Sequence, residues 1–263
     1  MDAISRAFVL LIIIMTGFSL SSLAGAFEAE PEESMVHSRV MQNDSHFNFP
    51  FFQIESEQAL GIYWEGHLTS PDHFDNEGEG YIKLFRKRST GWVTTDLAMI
   101  VKDVAKKMAN QFQAVDPLQV GDVAGFGGGV LDGHASHQNG LDIDIRLLSK
   151  NHHIQEPEKG ADFDENFVMK GHASSNFDLE RNYQLIKHIV ESKRVTFIFL
   201  DRVLKSALCR YTKSIGQYES AKTILGHLDH VVSHQDHIHV RITCPQSSPH
   251  CQIQDFSLLP PGC

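Results

Sequence analysis

The chain has 263 residues, 41% of them hydrophobic, which is enough to bury one sizeable core, and we expect one domain. Its formal net charge is −10, and it contains no run of basic residues. Because nucleic-acid binding needs a concentrated basic surface, we expect no nucleic-acid partner.

The N-terminal segment has the pattern of an export signal. One arginine precedes an apolar run from Ala7 to about Leu20, and small residues end the segment at Ala26. This pattern predicts a signal peptide over residues 1–26 that is cleaved after Ala26, with no membrane span left in the mature protein. An uncleaved anchor is the alternative, but the apolar run is short for a bilayer span.

The next segment is polar. Residues 27–55 are acidic and lack periodicity, which predicts a loosely held arm, and residues 56–263 are then expected to form the folded domain. The first part of this domain has glycine, aspartate and asparagine between short apolar pieces, which indicates turns and brief strands such as 80–85. Its tryptophans, Trp64 and Trp92, are expected to pack rather than to bind sugars.

The clearest helix follows. Thr94 or Thr95 can cap it, and apolar residues then recur at steps of three and four over about five turns. These apolar residues are Leu97, Ile100, Val101, Val104, Ala105, Met108 and Phe112. A strand-like segment at 117–124 comes next.

The glycine run GFGGG at 125–129 resembles part of a phosphate-binding loop. No Lys-Ser/Thr pair follows it, and no dinucleotide-binding fingerprint is present. We therefore expect no nucleotide site here, and we interpret the run as a flexible loop that borders the site described next.

Two segments alternate between apolar and polar residues, as strands with one buried face do. In LDIDIR, Asp142 and Asp144 share the polar face, opposite the leucine and the isoleucines. In HIHVRI, His237 and His239 share the polar face. Each segment therefore has one side for the core and one side for a site.

The elements between these two segments do not alternate regularly. The apolar pattern predicts a helix over about 179–190, a buried strand at 195–200 and a helix over about 203–211, followed by mixed helix and loop at 213–233. This ordering favours an α+β fold with an antiparallel β-sheet core and flanking helices over a doubly wound sheet.

The four cysteines lie in the C-terminal quarter, at Cys209, Cys244, Cys251 and Cys263. An even number of cysteines in an exported chain predicts two disulfides. Zinc binding by cysteine is the weaker alternative, because no CxxC pair is present. The residues themselves leave all three pairings open.

A set of metal-binding residue types lies on and near the alternating segments. His137 and Asp144 are seven residues apart, and His239 follows in the second segment. If the two segments pair as neighbouring strands, the side chains of Asp144 and His239 converge. Two histidines and one carboxylate can hold a catalytic zinc ion and leave one position open for water, so we predict a zinc site.

The segments SHQNGLDIDI and HQDHIHVRITCP resemble the penicillin-insensitive murein endopeptidase family, within the wider group of lysostaphin-type, D-Ala-D-Ala carboxypeptidase and hedgehog-like zinc folds. LGIYWEGHL, LFRKRSTGW, VTFIFLDRVLKSALC and the C-terminal cysteines resemble the same family in the same order. The resemblance covers the chain from about residue 58 onward.

The resemblance implies a role for individual residues. His137, Asp144 and His239 would bind zinc, and His234 and His237 would form a catalytic pair beside the metal. A histidine of this kind can both take and deliver a proton near neutral pH.

The resemblance also bears on residues outside this set. His134 matches a further family histidine, which either binds the metal or supports the site from its loop. The cysteines would pair as Cys244–Cys251 and Cys209–Cys263.

The residue types suggest how the catalytic work is divided. His237 shares the strand face of His239, so we expect it to be the general base. His234 would donate a hydrogen bond to the oxyanion or share the proton transfer, and the two roles are exchangeable on the sequence alone. Asp142 is expected to orient a site histidine, with a merely solvated carboxylate as the alternative.

The resemblance implies an exported, periplasmic zinc endopeptidase that hydrolyses the D-alanyl–diaminopimelyl amide cross-links between the peptide stems of peptidoglycan. Two alternatives stay open. A carboxypeptidase of the same fold would release terminal D-alanine and leave the cross-links intact. A non-catalytic, zinc-stabilised cell-wall-binding domain would bind the wall without turnover, although His234 and His237 argue against it.

Overall fold

The structure, a computed structural model, describes residues 58–160, 162–255 and 262–263. The signal peptide predicted for residues 1–26 and the arm predicted for residues 27–55 lie outside the described residues, so both stay predictions. Within the described ranges, no helix is both long and apolar enough to cross a membrane.

The described residues form thirteen short strands and four helices. The strands are β1 (Gln58–Ile62), β2 (Glu65–Thr69), β3 (Asp72–His73), β4 (Glu77–Gly78), β5 (Tyr81–Lys83), β6 (Trp92–Val93), β7 (Leu118–Val120), β8 (Asp142–Arg146), β9 (Val168–Met169), β10 (His172–Ala173), β11 (Val195–Leu200), β12 (Leu228–His230) and β13 (His237–Ile242). The helices are α1 (Thr95–Gln111), α2 (Leu179–Glu191), α3 (Arg202–Ser214) and α4 (Tyr218–Gly226).

Seven strands form the central sheet, in the spatial order β12-β11-β13-β8-β7-β5-β4. Neighbouring strands in it are antiparallel, except for the pairs β11–β12 and β5–β7, which are parallel. The other described strands form three two-stranded sheets. The mainly antiparallel sheet and its helices confirm the predicted α+β class.

Three of the helices begin at a side-chain cap. In each, the capping oxygen accepts a hydrogen bond from a backbone N–H of the first turn, which would otherwise have no partner. The capping residues are Thr94 for α1, Asp178 for α2 and Asp201 for α3. The helices therefore begin close to the positions that the apolar pattern predicted.

The apolar face of the β8–β13 pair packs into the core. Ile143 and Ile145 of β8 and Ile238 and Val240 of β13 are buried, and they belong to one cluster with buried residues of all four helices. Because successive side chains along a strand point to opposite faces, the polar side chains of the same strands lie on the other face of the sheet.

Two disulfides fix the C-terminal part of the chain. They join Cys209 to Cys263 and Cys244 to Cys251, the pairing that the family resemblance implied. The first ties the end of the chain to α3. The second holds the segment after β13, where Gly61 forms a bridge with Cys251, so this segment lies against β1.

The glycine run at 125–129 contacts the residue that follows His137, since Gly129 N donates to Gln138 O at 2.9 Å. It lies against β2, where Gly127 O accepts from Leu68 N at 3.0 Å, and it does not contribute to the cavity wall described below. Gly128 has a φ of +72°, and a β-carbon there would lie 2.1 Å from Gln138 O. At Gly128, glycine is therefore required by the close packing of two backbones.

The region between α3 and β13 contains more regular structure than predicted. Residues 213–233 were expected to be mixed helix and loop, and they form α4 and then β12. β12 pairs in parallel with the edge of β11, with Ile198 aligned to Leu228. Three residues are too few to give a sequence pattern, and the strand exists because β11 offers it backbone partners.

Candidate metal and catalytic site

The two alternating segments are neighbouring antiparallel strands, β8 and β13. Their register places Asp144 directly opposite His239, and Asp142 directly opposite Arg241. Directly opposed residues have their β-carbons roughly 5 Å apart. The side chains of Asp144 and His239 therefore converge on the polar face of the sheet.

Three side-chain atoms meet at this point: Nε2 of His137, Oδ1 of Asp144 and Nδ1 of His239. The two ring nitrogens are 3.1 Å apart, and Asp144 Oδ1 lies 3.3 Å from each of them. Ligands placed about 2.0 Å from a tetrahedral zinc ion lie about 3.3 Å from one another. The spacing of the three atoms therefore fits such an ion.

His137 reaches this point from a loop. Its φ of +65° lies in the left-handed region, which costs a non-glycine residue roughly 1–3 kcal/mol. Its backbone N–H donates to Asp142 Oδ2 at 3.2 Å, which helps to hold this conformation. Its Nδ1 lies 2.6 Å from Val123 O, so Nδ1–H donates to that carbonyl and Nε2 presents a lone pair to Asp144.

His239 is oriented in a similar way. Its Nε2 lies 3.3 Å from Asp142 Oδ1, while its Nδ1 faces Asp144 and His137. With the proton on Nε2, two imidazole lone pairs and a carboxylate face one another. Asp144 Oδ1 is buried and has no hydrogen-bond partner among the described residues. A cation at this point would compensate its burial.

The charges around the site favour a cation as well. Burial opposes ionisation of Asp144, but the nearby His137 and His237 outweigh this effect and hold the pKa of the carboxyl well below its usual range. Burial opposes protonation of His239, but Asp142 and Asp144 outweigh it and raise the pKa of the ring. The centre of the site is thus a carboxylate that attracts positive charge, whether from a metal or from a proton.

His134 offers a second possible ligand set. His134, His137 and Asp144 can each supply a ligand atom within 4.8 Å of the others. The Nδ1 of His134 is 3.8 Å from Asp144 Oδ2, and its Nε2 is 3.1 Å from Asp122 Oδ2. The set that includes His239 is more compact, and His134 lies at its edge.

Asp122 belongs to the site although the sequence patterns did not single it out. Its carboxylate accepts from Thr90 Oγ1 at 2.5 Å and contacts Arg88 at 2.9 Å, in addition to His134. Burial opposes its ionisation, but these partners outweigh it and lower its pKa. Asp122 comes two residues after β7 and lies within the segment 117–124 that was predicted to be strand-like, and this position gave no sign of a role in the site.

Asp142 is a buried carboxylate with a full set of partners. Arg241 contacts it with two nitrogens, Nε to Oδ1 at 2.8 Å and Nη2 to Oδ2 at 2.9 Å. The guanidinium lies 4.2 Å from the centre of the Tyr63 ring. Burial opposes ionisation of Asp142, but His239 and Arg241 hold its pKa well below the usual range.

His237 lies beside this group, also on β13. Its Nε2 is 3.6 Å from Asp144 Oδ1, and its Nδ1 is 2.5 Å from Asp236 Oδ1. Burial opposes protonation of the ring, but the charges and hydrogen bond of Asp144 and Asp236 outweigh it and raise the pKa. Asp236 therefore holds Nδ1–H, and Nε2 is directed toward the group formed by His137, Asp144 and His239.

His234 differs from His237 in the direction of its pKa shift. Its ring centre is 4.8 Å from that of His237, and its Nδ1 lies 3.0 Å from Val232 O. Burial and the neighbouring His237 lower its pKa to about 4, so the ring is neutral near pH 7. Since Nδ1–H donates to the Val232 carbonyl, Nε2 can only accept a hydrogen bond.

The predicted site residues other than Asp142, which is fully buried, face one open cavity of about 810 Å³. They are His134, His137, Asp144, His234, His237 and His239. Trp64 also lines this cavity and is 45% exposed, with the Arg241 guanidinium 5.7 Å from its ring centre. Phe163, which the sequence patterns did not indicate, lies in the wall as well, with its ring stacked on His237 at 5.0 Å between centres.

The comparison with known families bears directly on this site. The family model of the penicillin-insensitive murein endopeptidases matches residues 59–263. The chain belongs to this family. The match spans both histidine-bearing segments, and membership implies a peptidoglycan hydrolase.

Relatives with that name support the assignment. The chain is 28% identical to the penicillin-insensitive murein endopeptidase of Escherichia coli O157:H7 (strain EC4115 / EHEC) over 210 residues, which cover 79% of this chain and 73% of the relative. It is 27% identical, with the same coverage, to the proteins of that name from Escherichia coli O139:H28 (strain E24377A / ETEC) and Shigella boydii serotype 18 (strain CDC 3083-94 / BS512).

Proposed function

We propose that the chain is an exported, zinc-dependent murein endopeptidase that hydrolyses the D-alanyl–diaminopimelyl amide cross-links of peptidoglycan. The observation that carries the proposal is the convergence of His137, Asp144 and His239, with ligand atoms 3.1 to 3.3 Å apart, in the wall of an open cavity. Family membership supplies the substrate class, and the side chains supply the chemistry.

His137, Asp144 and His239 would hold the zinc ion, with His134 at the edge of the site. When bound, zinc supplies Lewis acidity, which polarises a carbonyl group and lowers the pKa of a coordinated water. Asp142 would keep the proton of His239 on Nε2, as Val123 O does for Nδ1 of His137. Both rings then present their free nitrogen to the same point.

His237 would act as the general base and then as the general acid. Its Nε2 takes a proton from the attacking water as the water oxygen bonds to the carbonyl carbon. When the C–N bond breaks, the same proton goes to the leaving amine nitrogen, which gives an amine and a carboxylic acid. The acid then transfers its proton to the amine, so the products are a carboxylate and an ammonium group. Asp236 supports this role because its hydrogen bond to Nδ1 strengthens Nε2 as a base.

His234 is better suited to accept a hydrogen bond than to stabilise an oxyanion. An oxyanion needs a donor, whereas the neutral ring of His234 uses its one N–H on Val232 O. His234 would therefore accept from the attacking water or share its proton with His237. Of the two roles that the sequence left open, the geometry favours the second.

Export of the protein forms part of the proposal. Two disulfides are typical of proteins in oxidising compartments. We propose cleavage after Ala26, which would release the arm 27–55 and the catalytic domain 56–263 into the periplasm. N-terminal sequencing of the exported protein tests this, with Phe27 as the expected first residue. A mature protein that begins well before Phe27 would contradict it.

The activity is tested by digesting purified cross-linked sacculi with the zinc-loaded protein, followed by muropeptide chromatography. The proposal predicts that dimeric muropeptides become monomers without release of free D-alanine. Release of D-alanine with intact dimers would indicate the carboxypeptidase, and sedimentation with sacculi without turnover would indicate the binding domain. Dimers that persist while a known endopeptidase consumes them would refute the proposal.

A pair of variants controls for the metal site. Asp144→Ala should abolish both zinc binding and cleavage. Asp103→Ala removes an exposed aspartate of α1 that forms a surface ion pair with Lys107, and it should leave both unchanged. Equal zinc content in Asp144→Ala and wild type would show that Asp144 is not a ligand.

A further inference from the structure

The ring of Phe163 stacks on the ring of His237. The ring centres are 5.0 Å apart and the planes differ by 29°, which is an offset-stacked arrangement. Phe163 comes from the loop between β8 and β9, far from His237 in the chain. One face of the proposed general base is therefore covered by an aromatic side chain that does not belong to its own strand.

Phe163 also packs against Phe85. Its ring meets that of Phe85 edge-on, with centres 5.2 Å apart. Phe85 has a φ of +55°, which is uncommon for a bulky residue. Phe85 makes its contact with Phe163 in this backbone conformation. A β-carbon on Gly121 would lie 2.6 Å from Cζ of Phe163, so the ring occupies space that only glycine leaves open.

Buried glutamines tie the loop that carries Phe163. Gln155 Nε2 donates to Asp162 O at 2.9 Å, and Asp164 N donates to Gln155 Oε1 at 3.1 Å. The backbone N–H of Gln155 in turn donates to Oε1 of Gln119, a residue of β7, at 2.7 Å. Both glutamines are buried, so their hydrogen bonds fix the loop backbone on each side of Phe163.

Arg146 ties the same loop to the strand that carries Asp144. Its Nη2 lies 3.2 Å from Asp164 Oδ1 and 2.8 Å from Glu165 Oε2. Arg146 is only 1% exposed and shares the polar face of β8 with Asp144. If the loop moved, the buried guanidinium would lose its carboxylate partners, and an unpaired buried charge costs far more free energy than a broken surface ion pair. The loop therefore has little freedom to shift.

We propose that Phe163 is a positioning residue, which fixes the ring of His237 against the metal site through the stack Phe85–Phe163–His237. This inference rests on the proposed function, since it concerns how the base of that reaction is held. Asp236 sets the rotation of the His237 ring through one hydrogen bond, and Phe163 restricts its tilt. Together they keep Nε2 at 3.6 Å from Asp144 Oδ1.

The test compares Phe163→Leu and Phe163→Met with wild type in the zinc-loaded protein, on a soluble muropeptide dimer joined by the D-alanyl–diaminopimelyl bond. Both variants keep an apolar side chain but lose the flat ring. We expect kcat to fall about 10- to 100-fold, because a misplaced catalytic group loses its near-attack geometry. KM, zinc content and the melting temperature should stay close to those of wild type.

Phe177→Leu provides the matched control. Phe177 is a buried aromatic residue that packs on Phe167 and does not line the cavity. Its replacement should lower the melting temperature and leave kcat unchanged. If the Phe163 variants behave in the same way, Phe163 is a packing residue and the inference fails.

NMR spectroscopy of the histidine ring protons detects the stacking of Phe163 on His237 without an activity assay. The ring protons of His237 should move downfield in Phe163→Leu, because the shielding by the stacked ring is lost, while those of His134 stay in place. Unmoved His237 resonances, or a rise in KM with unchanged kcat, would also overturn the inference. Wild-type protein that leaves the dimer intact would instead refute the proposed function itself.

Discussion

The carboxylate of Asp142 lies 3.3 Å from Nε2 of His239, the ring nitrogen opposite the one that faces Asp144. Arg241 holds that carboxylate with two hydrogen bonds and keeps it ionised. The arrangement is a chain from guanidinium to carboxylate to imidazole, which ends at the proposed zinc ion. Its purpose would be to fix the proton of His239 on Nε2.

Asp142→Asn tests this chain. The amide keeps the size of the side chain but removes the charge that favours a proton on His239 Nε2. We expect zinc still to bind at saturation, with affinity or activity lowered by about 10- to 100-fold. Zinc titration and the muropeptide assay measure the two effects. Wild-type affinity together with wild-type turnover would show that Asp142 does not orient the ligand.

Much of this site could be predicted because alternation along a strand is a local property. LDIDIR and HIHVRI show which side chains share a face, and pairing of the strands then brings Asp144 to His239. Phe163 was not predictable in this way, because its place depends on a loop held by Arg146 and Gln155. The place of Trp64 in the cavity wall was not predictable for a related reason, since exposure at a cavity depends on elements distant in the chain.

The fold shows the same division between local and non-local causes. Thr94 caps α1 because its side chain lies three residues before Leu97 N, and this spacing is visible in the sequence. β12 is only three residues long and depends on β11, so no pattern of its own predicts it. The glycine run at 125–129 suggested a loop beside the site, and the requirement for glycine at Gly128 comes from a close backbone contact with Gln138, which lies outside the run.

Asp236→Asn should change the pH dependence of cleavage. His237 must be unprotonated to act as the base, and Asp236 helps to raise its pKa. Activity of wild type should therefore be lost as pH falls through a pKa above the usual value of about 6.5. Without the carboxylate this acid limb should move to lower pH in a kcat/KM profile. An unshifted limb would contradict the role of Asp236.

Lys83→Met should stabilise the protein at pH 7. Burial lowers the pKa of Lys83 from 10.5 to about 8, which corresponds to about 3 kcal/mol. Between about pH 8 and pH 10.5 the unfolded state therefore binds more protons than the folded state. The free energy of unfolding of wild type rises with pH over this range. The variant should be more stable at pH 7, by less than this figure because the Nζ hydrogen bond to Leu84 O is lost.

Urea unfolding at several pH values between 7 and 10 measures this effect. Lys106→Met, which removes an exposed lysine of α1, is the control and should keep the pH dependence of wild type. A Lys83→Met profile that still rises like that of wild type would mean that another group is responsible.

The two disulfides should contribute unequally to stability. The bond Cys209–Cys263 spans 54 residues and Cys244–Cys251 spans 7, and a longer closed loop restricts the unfolded chain more. Replacing each pair by serine should cost about 4 kcal/mol for the first and about 2–3 kcal/mol for the second. Thermal unfolding of the two double variants gives the comparison, and the reverse order would contradict this account.

The most direct test of the central claim is a crystal structure of the zinc-loaded protein with anomalous data at the zinc edge. We predict one peak about 2.0 to 2.1 Å from His137 Nε2, Asp144 Oδ1 and His239 Nδ1. A peak held by His134, His137 and Asp144 without His239, or no peak in zinc-saturated crystals, would contradict the assignment.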